Sequence, residues 1–280
     1  MSCNYEVVDI INRFYNEDFR LRIPVHQQPT LYAIQRCRKA SLGGHVDSCD
    51  TCGHIKISYN SCRNRNCPKC QGLQKEMWAI QREEELLPVS YFHLVFTLPS
   101  ELNRLALRNP RFIYDLLFEV AWYIIRTFGE DPKCLGARSA AKIVLHTWGQ
   151  QLTLHPHVHC IVPSGGLKKD GTWQRPKKSN AKFLYPILGM NQVFKAYFLR
   201  KMSAQLELGA LSLPPSFPMN RNYYNWKEKL YAKSWVVYAR PPFGGPKHVV
   251  CVKCLARYSH RTAISNPRIL DITDTRFFQI

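Results

Sequence analysis

Long apolar runs are missing from this 280-residue chain: none approaches 18 uninterrupted apolar residues, so neither a membrane-spanning helix nor a membrane partner is expected. Acidic side chains are scarce, 20 Asp and Glu against 39 Lys and Arg, which leaves a formal net charge of +19. A charge of that size repels itself until a polyanion neutralises it, so nucleic acid is the expected partner, well ahead of an anionic membrane surface. The opening residues Met1-Ser2-Cys3-Asn4-Tyr5-Glu6 lack the basic segment and following apolar segment of a secretory signal, and a soluble cytoplasmic protein is expected. Internal repeats and low-complexity tracts are absent as well, and 14 Gly and 18 Pro are ordinary levels that argue against global disorder. The chain does hold enough apolar material, 45% of its residues, for one sizeable core and a smaller module. It also holds 11 cysteines, an odd number without an export signal, which argues for reduced thiols and metal ligation in place of a disulfide framework.

The most informative segment is Leu154-His155-Pro156-His157-Val158-His159-Cys160-Ile161-Val162. Read as a strand, it splits by parity: Leu154, Val158, Cys160 and Val162 face a core, while His155, His157 and His159 share the other face, about 7 Å from one to the next. Three imidazoles in a row, backed by apolar residues, are costly unless something binds them, which points to a metal or catalytic site. Upstream, Ile143-Val144-Leu145-His146-Thr147-Trp148 is a second β-prone run, and Gly149-Gln150-Gln151 between the two makes them a hairpin. A turn centred on Gln150 and Gln151 places His146 opposite His155. Paired antiparallel residues share a face, so His146 is a candidate third ligand, although a one-residue shift of the turn would move it to the other side.

Six cysteines fall between positions 37 and 70. Cys49-x2-Cys52 and Cys67-x2-Cys70 are knuckles that each present two thiolates from a tight turn, and together they complete a tetrahedral Zn²⁺ shell. Cys37, His45, His54 and Cys62 remain over, either as a second site or as spare groups. Around the knuckles lie Arg36, Arg38, Lys39, Lys56, Arg63, Arg65, Lys69 and Lys75, with Tyr59 among them. Held on a small metal-bound scaffold, such groups suit phosphate contact and base stacking.

Periodicity predicts an amphipathic helix over 5–20 packing on the cysteine module and another from Gln71 to Leu87, stopped by Pro88. Tyr91 to Pro99 alternates as a strand with Phe92, Leu94, Phe96 and Leu98 on one face. A long apolar helix over 111–128 precedes the histidine hairpin, and the basic, turn-rich stretch 163–178 reads as a loop. Helices over 191–207 and 222–232, a strand over 234–239 and a last helix over 247–261 complete the pattern. In that last helix Lys253, Arg257 and Arg261 recur every four residues as a basic stripe with Tyr258 beside it. A tyrosine near the end of an apolar helix is ordinarily a packing residue, but a metal that polarises a phosphate and a tyrosine that attacks it make coherent phosphodiester chemistry. Cys251 and Cys254, inside the same helix, read as packing.

The blocks Leu145-His146-Thr147-Trp148-Gly149-Gln150 and His155-Pro156-His157-Val158-His159 resemble the HUH motif, two histidines flanking a bulky apolar residue, of rolling-circle insertion-sequence transposases of the IS-ninety-one type. The zinc module from Gly43 to Cys70, the strand Phe92 to Pro99, and Leu255 through Tyr258 to Asn266 resemble blocks of the same family, so the likeness covers most of the chain from about residue 30. Many relatives carry two tyrosines four residues apart on the last helix. Here the earlier position is Cys254, as in the single-tyrosine branch, which sets aside strand transfer by alternating tyrosines. Relatives also usually run on well past the strand after Asn266, so a C-terminally truncated copy is expected.

The resemblance implies an α+β fold, with a zinc-binding and DNA-binding module over 1–85 and an HUH-type antiparallel sheet domain with flanking helices over 86–280. It implies a transposase that nicks and joins single-stranded DNA, mainly element ends, through a 5′-phosphotyrosine intermediate. Tyr258 would be the nucleophile, and His157 and His159, with His146, would hold a catalytic Mg²⁺ or Mn²⁺. Lys253, Arg257 and Arg261, with Arg63, Arg65 and Lys69 in the zinc module, would contact the DNA. A replication initiator or relaxase would use the same site, and a remnant or repressor that only binds DNA is the non-enzymatic alternative.

Overall fold

The computed structural model describes residues 5–83, 85–149, 151–177, 184–215, 217, 221–243, 266, 269–274 and 277–279. The chain divides into two compact units, residues 1–80 with 260–280, and residues 81–259. In the first unit, α1 (Val7–Phe14), α2 (Glu17–Arg22) and α3 (Gln28–Arg36) precede an antiparallel hairpin of β1 (Gly44–Ser48) and β2 (Ile55–Tyr59), and α4 (Pro68–Glu83) begins there. The single helix expected over 5–20 is thus two. The Asn16 side chain accepts the Phe19 backbone N–H (2.9 Å), capping a fresh helix where a continuous one would have run on. The apolar side of α1 does meet the cysteines as expected: Val8 and Ile11 are buried with Ile34, Cys37, Cys67 and Cys70. Pro68 opens α4 three residues earlier than predicted, at the position where its missing N–H is needed least.

The second unit contains β3 (Tyr91–Thr97), α5 (Asn103–Arg108), α6 (Pro110–Glu130), β4 (Lys142–Trp148), β5 (Leu154–Pro163), a short hairpin of β6 (Gly166–Leu167) and β7 (Trp173–Gln174), α7 (Ile187–Glu207), α8 (Arg221–Ala232) and β8 (Val236–Phe243). Four strands form one sheet in the order β4-β5-β3-β8, antiparallel throughout. One face of this sheet is apolar by strict alternation: Phe92, Leu94 and Phe96 from β3, Val158, Cys160 and Val162 from β5, and Val237 and Ala239 from β8 all lie in one core. Helices α6 and α7 cover that face. Ile113, Leu117, Val120 and Ile124 recur on α6, and Met190, Phe194, Phe198 and Met202 recur every four residues on α7, so each helix turns one stripe inward. Asn109, just before α6, locks its start by exchanging two hydrogen bonds of 2.8 Å with the backbone of Ser212. The fold is therefore α+β with antiparallel sheets, as expected. Among the described residues no helix is long and apolar enough to cross a membrane.

The chain's last described segment, a hairpin of β9 (Ile269–Ile272) and β10 (Phe277–Gln279), groups with the first unit and not with the sheet domain. The expected boundary, which gave all of 86–280 to one domain, is corrected on this point. Local hydrogen bonding explains the difference: the Val7 N–H donates to Asn266 Oδ1 (3.1 Å), and Arg13 donates to the Ile272 carbonyl (3.0 Å) while pairing with Asp274. Periodicity along the chain cannot register bonds that span some 260 residues.

Phe96 is fully buried and meets Phe194 edge to face at 5.4 Å between ring centres. Phe96→Ala should destabilise the second unit by about 3–5 kcal/mol, read from denaturant midpoints. Leu188→Ala, at a position 79% exposed on α7, should stay within about 0.5 kcal/mol.

Candidate metal centres

The face of the sheet opposite the core carries the histidines. Cross-strand pairing sets three rows on it: Val236, Thr97, His157 and His146; Tyr238, Val95, His159 and Val144; and Arg240, His93, Ile161 and Lys142. His146 lies opposite His157, not His155. The loop closing the hairpin runs from Gly149 to Thr153, and the register slips between His146 and Trp148, so the pairing moves by two residues from that of a tight turn. A shift of two preserves parity, and His146 keeps the face predicted for it. His155 sits exposed at the start of β5 and contributes its carbonyl, which bonds Nδ1 of His157 at 2.6 Å.

His146, His157 and His159 are buried, and each offers a ring nitrogen within 4.8 Å of the others. The Nε2 atoms of His157 and His159 approach to 3.0 Å. Two nitrogens bound to one cation at roughly 2.1 Å would stand roughly 3.0–3.4 Å apart for angles between octahedral and tetrahedral, so the spacing fits a shared ion. Burial depresses the basicity of these rings: His157 is pulled down to about 4 chiefly by desolvation, and His159 to about 2 by desolvation and the neighbouring His157. Both are therefore neutral at pH 7, the form that ligates. Trp148 stacks on His146 at 4.6 Å with an interplanar angle of 17°.

His93, which the sequence reading passed over, joins this cluster. It is buried on β3, and its Nε2 lies 2.8 Å from Nδ1 of His159. The signal was available in the parity of β3: if Phe92, Leu94 and Phe96 face the core, His93 shares the other face with whatever β5 presents there. Burial and the cation of Arg240 pull its pKa down to about 4. The proposed nucleophile Tyr258, and Lys253, Arg257 and Arg261 beside it, lie outside the described residues.

The second cluster corrects the zinc assignment. The four sulfurs that gather within 4.8 Å of one another are those of Cys37, Cys62, Cys67 and Cys70. Cys37 and Cys62 each stand 3.6 Å from Cys70, close to the roughly 3.8 Å expected between thiolates sharing a tetrahedral Zn²⁺ at about 2.3 Å. Cys49 and Cys52 are exposed at the far end of the β1–β2 hairpin and are not in this group. Five-residue strands, about 16 Å long, separate that tip from the base of the hairpin. At the base, the Arg38 N–H bonds the Asn60 carbonyl (3.1 Å) and brings the chain beside Cys37 next to the chain leading to Cys62. Matching knuckle to knuckle missed this, although Cys62-x4-Cys67-x2-Cys70 is a compact run with three of the four sulfurs. Burial raises the thiol pKa of Cys62 and pushes that of Cys67 up to about 11, whereas at Cys70 burial is outweighed by hydrogen bonds from the neighbouring thiols, which lower it. At the hairpin tip, the backbone N–H groups of Cys52 and Thr51 lower Cys49 to about 7.

Among the cations expected to meet DNA, Arg63 and Arg65 are exposed in the loop between Cys62 and Cys67. Lys69 differs: it pairs with Glu6 at 2.6 Å and is part of the unit's own ion-pair structure.

Comparison with known proteins agrees with this architecture. A family model described as "Putative transposase" matches residues 141–279, and one described as "Transposase zinc-binding domain", of the IS91 type, matches residues 10–98. The chain is 42% identical over 276 residues to "Putative transposase y4qJ" of Sinorhizobium fredii, covering 96% of this chain and 68% of that protein. It is 28% identical over 251 residues to "Transposase for insertion sequence element IS801" of Pseudomonas savastanoi pv. phaseolicola, covering 88% of this chain and 58% of that one. A solved structure of TrwC complexed with a 27-mer DNA aligns with a TM-score of 0.31 and 13% identity over 49% of this chain and 54% of the other, too distant a likeness to carry argument. A transposase-class α+β protein with a zinc-binding module is thus what the matches and the fold define. The chain belongs to the insertion-sequence transposases of the IS91 type.

Cys62→Ser should remove the tightly held zinc, found by elemental analysis, and unfold the first unit, because binding energy of this kind is folding energy. Cys49→Ser should leave that zinc in place, and the reverse outcome would restore the knuckle pairing. For the histidine face the direction with pH follows from sign. Folded-state pKa values below the ordinary 6.5 mean that the unfolded chain takes up protons first as pH falls. Zinc-loaded protein free of other divalent ions should hold this contribution above pH 6.5 and lose it progressively toward pH 4. His159→Leu should show a smaller loss across that window in denaturant midpoints.

Proposed function

We propose that this chain nicks and joins single-stranded DNA at element ends through a covalent 5′-phosphotyrosine intermediate. The convergence of His146, His157 and His159 on one point carries this reading. Among the described residues no carboxylate joins the three imidazoles, a poor set for Mg²⁺ and a better one for transition ions, so of the two expected ions Mn²⁺ is favoured. A divalent cation held there withdraws charge from the oxygens of a scissile phosphate. The chain's own residues do the rest. The His155 carbonyl holds His157 with Nε2 toward the centre, and the core-facing side of β5 keeps the strand from shifting register. Tyr258 attacks the phosphorus: its Oη–P bond forms as the P–O3′ bond breaks, and the proton lost by the phenol balances the one gained by the departing 3′-OH. Lys253, Arg257 and Arg261 hold adjacent phosphates, and exposed Arg63 and Arg65 bind DNA from the zinc module.

With Mn²⁺ and a single-stranded oligonucleotide carrying the element end, the protein should give a denaturation-resistant adduct on a gel. Tyr258→Phe should abolish it and leave DNA affinity nearly unchanged, since one hydroxyl and no phosphate contact is removed; His157→Ala should lose it through the metal. An adduct that persists in Tyr258→Phe would transfer the chemistry to another tyrosine. Tyr238, 50% exposed in the same row as His159, is then the first to substitute. No adduct from wild type on either strand would leave a protein that only binds DNA.

A further inference from the structure

We infer that His93 is a positioning residue for the three-histidine centre, holding His159 in the tautomer and orientation that turn its Nε2 toward the metal. This rests on reading the cluster as a divalent-metal site. The two rings lie nearly parallel, 5.0 Å apart between centres and 17° between planes, with Nε2 of His93 2.8 Å from Nδ1 of His159. The far nitrogen of His159, its Nε2, faces Nε2 of His157 at 3.0 Å.

A neutral imidazole has one lone pair and one N–H. If Nε2 of His159 supplies the lone pair to a cation, its proton is on Nδ1, and that N–H donates to Nε2 of His93. His93 must then carry its own proton on Nδ1. His157 is handled in the same way by a different group, its Nδ1 bonding the His155 carbonyl at 2.6 Å. Each of the two HUH histidines therefore has its outward nitrogen occupied and its inward nitrogen free to ligate. Partners that orient a ligating histidine through its other nitrogen govern metal affinity without touching the metal. The Nε2 of His93 is engaged with Nδ1 of His159, and among the described residues the ligand group is His146, His157 and His159. At 2% exposure His93 is also walled off from solvent, so water cannot easily replace it as the acceptor.

The test compares His93→Leu, which removes the acceptor, with His93→Gln, whose amide oxygen can reach the place of Nε2 and accept the same proton. Mn²⁺ affinity of the full zinc-loaded chain would be read by electron paramagnetic resonance titration, and the tautomer of His159 by its imidazole ¹⁵N shifts. His93→Leu should weaken Mn²⁺ binding roughly 10- to 100-fold and leave His159 as a mixture of tautomers. His93→Gln should stay close to wild type in both, a rescue that a purely packing role would not give. Wild-type affinity in His93→Leu, or equal losses in the two variants, would overturn the inference while leaving the metal site standing. A wild-type protein that binds no Mn²⁺ would overturn the metal site and the inference together.

Discussion

Two ring nitrogens held 3.0 Å apart on one strand are the constraint on which the sheet domain turns. Lone pairs on neutral imidazoles repel at that distance unless a proton or a cation lies between them. Burial keeps either ring from gaining a second proton, since His157 and His159 both have basicities depressed far below the usual histidine range, so the pair is held either by one N–H···N bond or by a shared cation. What holds them there is the other face of the same strand. Val158, Cys160 and Val162 are pinned beneath α6 and α7, and a slip of one residue would exchange the imidazoles with that apolar set. Packing energy spent on one side of β5 thus enforces geometry on the other.

Among the described residues the first unit has no comparable core. Its cluster of buried side chains holds Val8, Ile11 and Ile34 with three cysteines, and Ile269 and Ile272 of the C-terminal hairpin are buried as well. A core of so few side chains supplies little hydrophobic stabilisation, and cross-linking by metal is a usual remedy. The arrangement of the chain supports this: Cys37 ends α3, Cys62 leaves the hairpin base and Cys67 and Cys70 open α4, so one ion would tie three separate elements together. Cys49 and Cys52, on an exposed tip, would tie the hairpin only to itself.

Alternation and helical period were legible at once. The two faces of β3 and β5 and the long helices over α6 and α7 follow from side-chain parity, because each position's environment there depends on its immediate neighbours. The four-cysteine group was not, since it depends on where a hairpin base returns, and sequence spacing favours the more regular pairing of two Cys-x2-Cys knuckles. The Asn16 cap that splits the first helix, the slip at Trp148 and the return of the C-terminal hairpin to Arg13 are likewise nonlocal or one-residue effects. His146 survived its wrong partner because the error was even. His93 was missed for a different reason: taken alone, one histidine in an apolar strand is an ordinary core residue, and only the neighbouring strand gives it a task.

The donor chemistry of the two clusters suits them to different metals. Four sulfurs make a closed tetrahedral shell that suits Zn²⁺ and leaves no coordination position for a substrate. Three imidazoles leave positions open, and half-exposed Tyr238 lies in the same cross-strand row as His159. Thiolates bind soft ions more tightly than imidazoles do, so the four sulfurs suit Zn²⁺, whereas what three imidazoles would hold depends on geometry and on how firmly the rings are held. That makes the outward hydrogen bonds of His157 and His159 more than bracing. With no carboxylate beside the three rings among the described residues, the orientation and basicity of neutral imidazoles are what the protein can adjust, and the contacts placed to do so are a backbone carbonyl for one ring and a neighbouring histidine for the other.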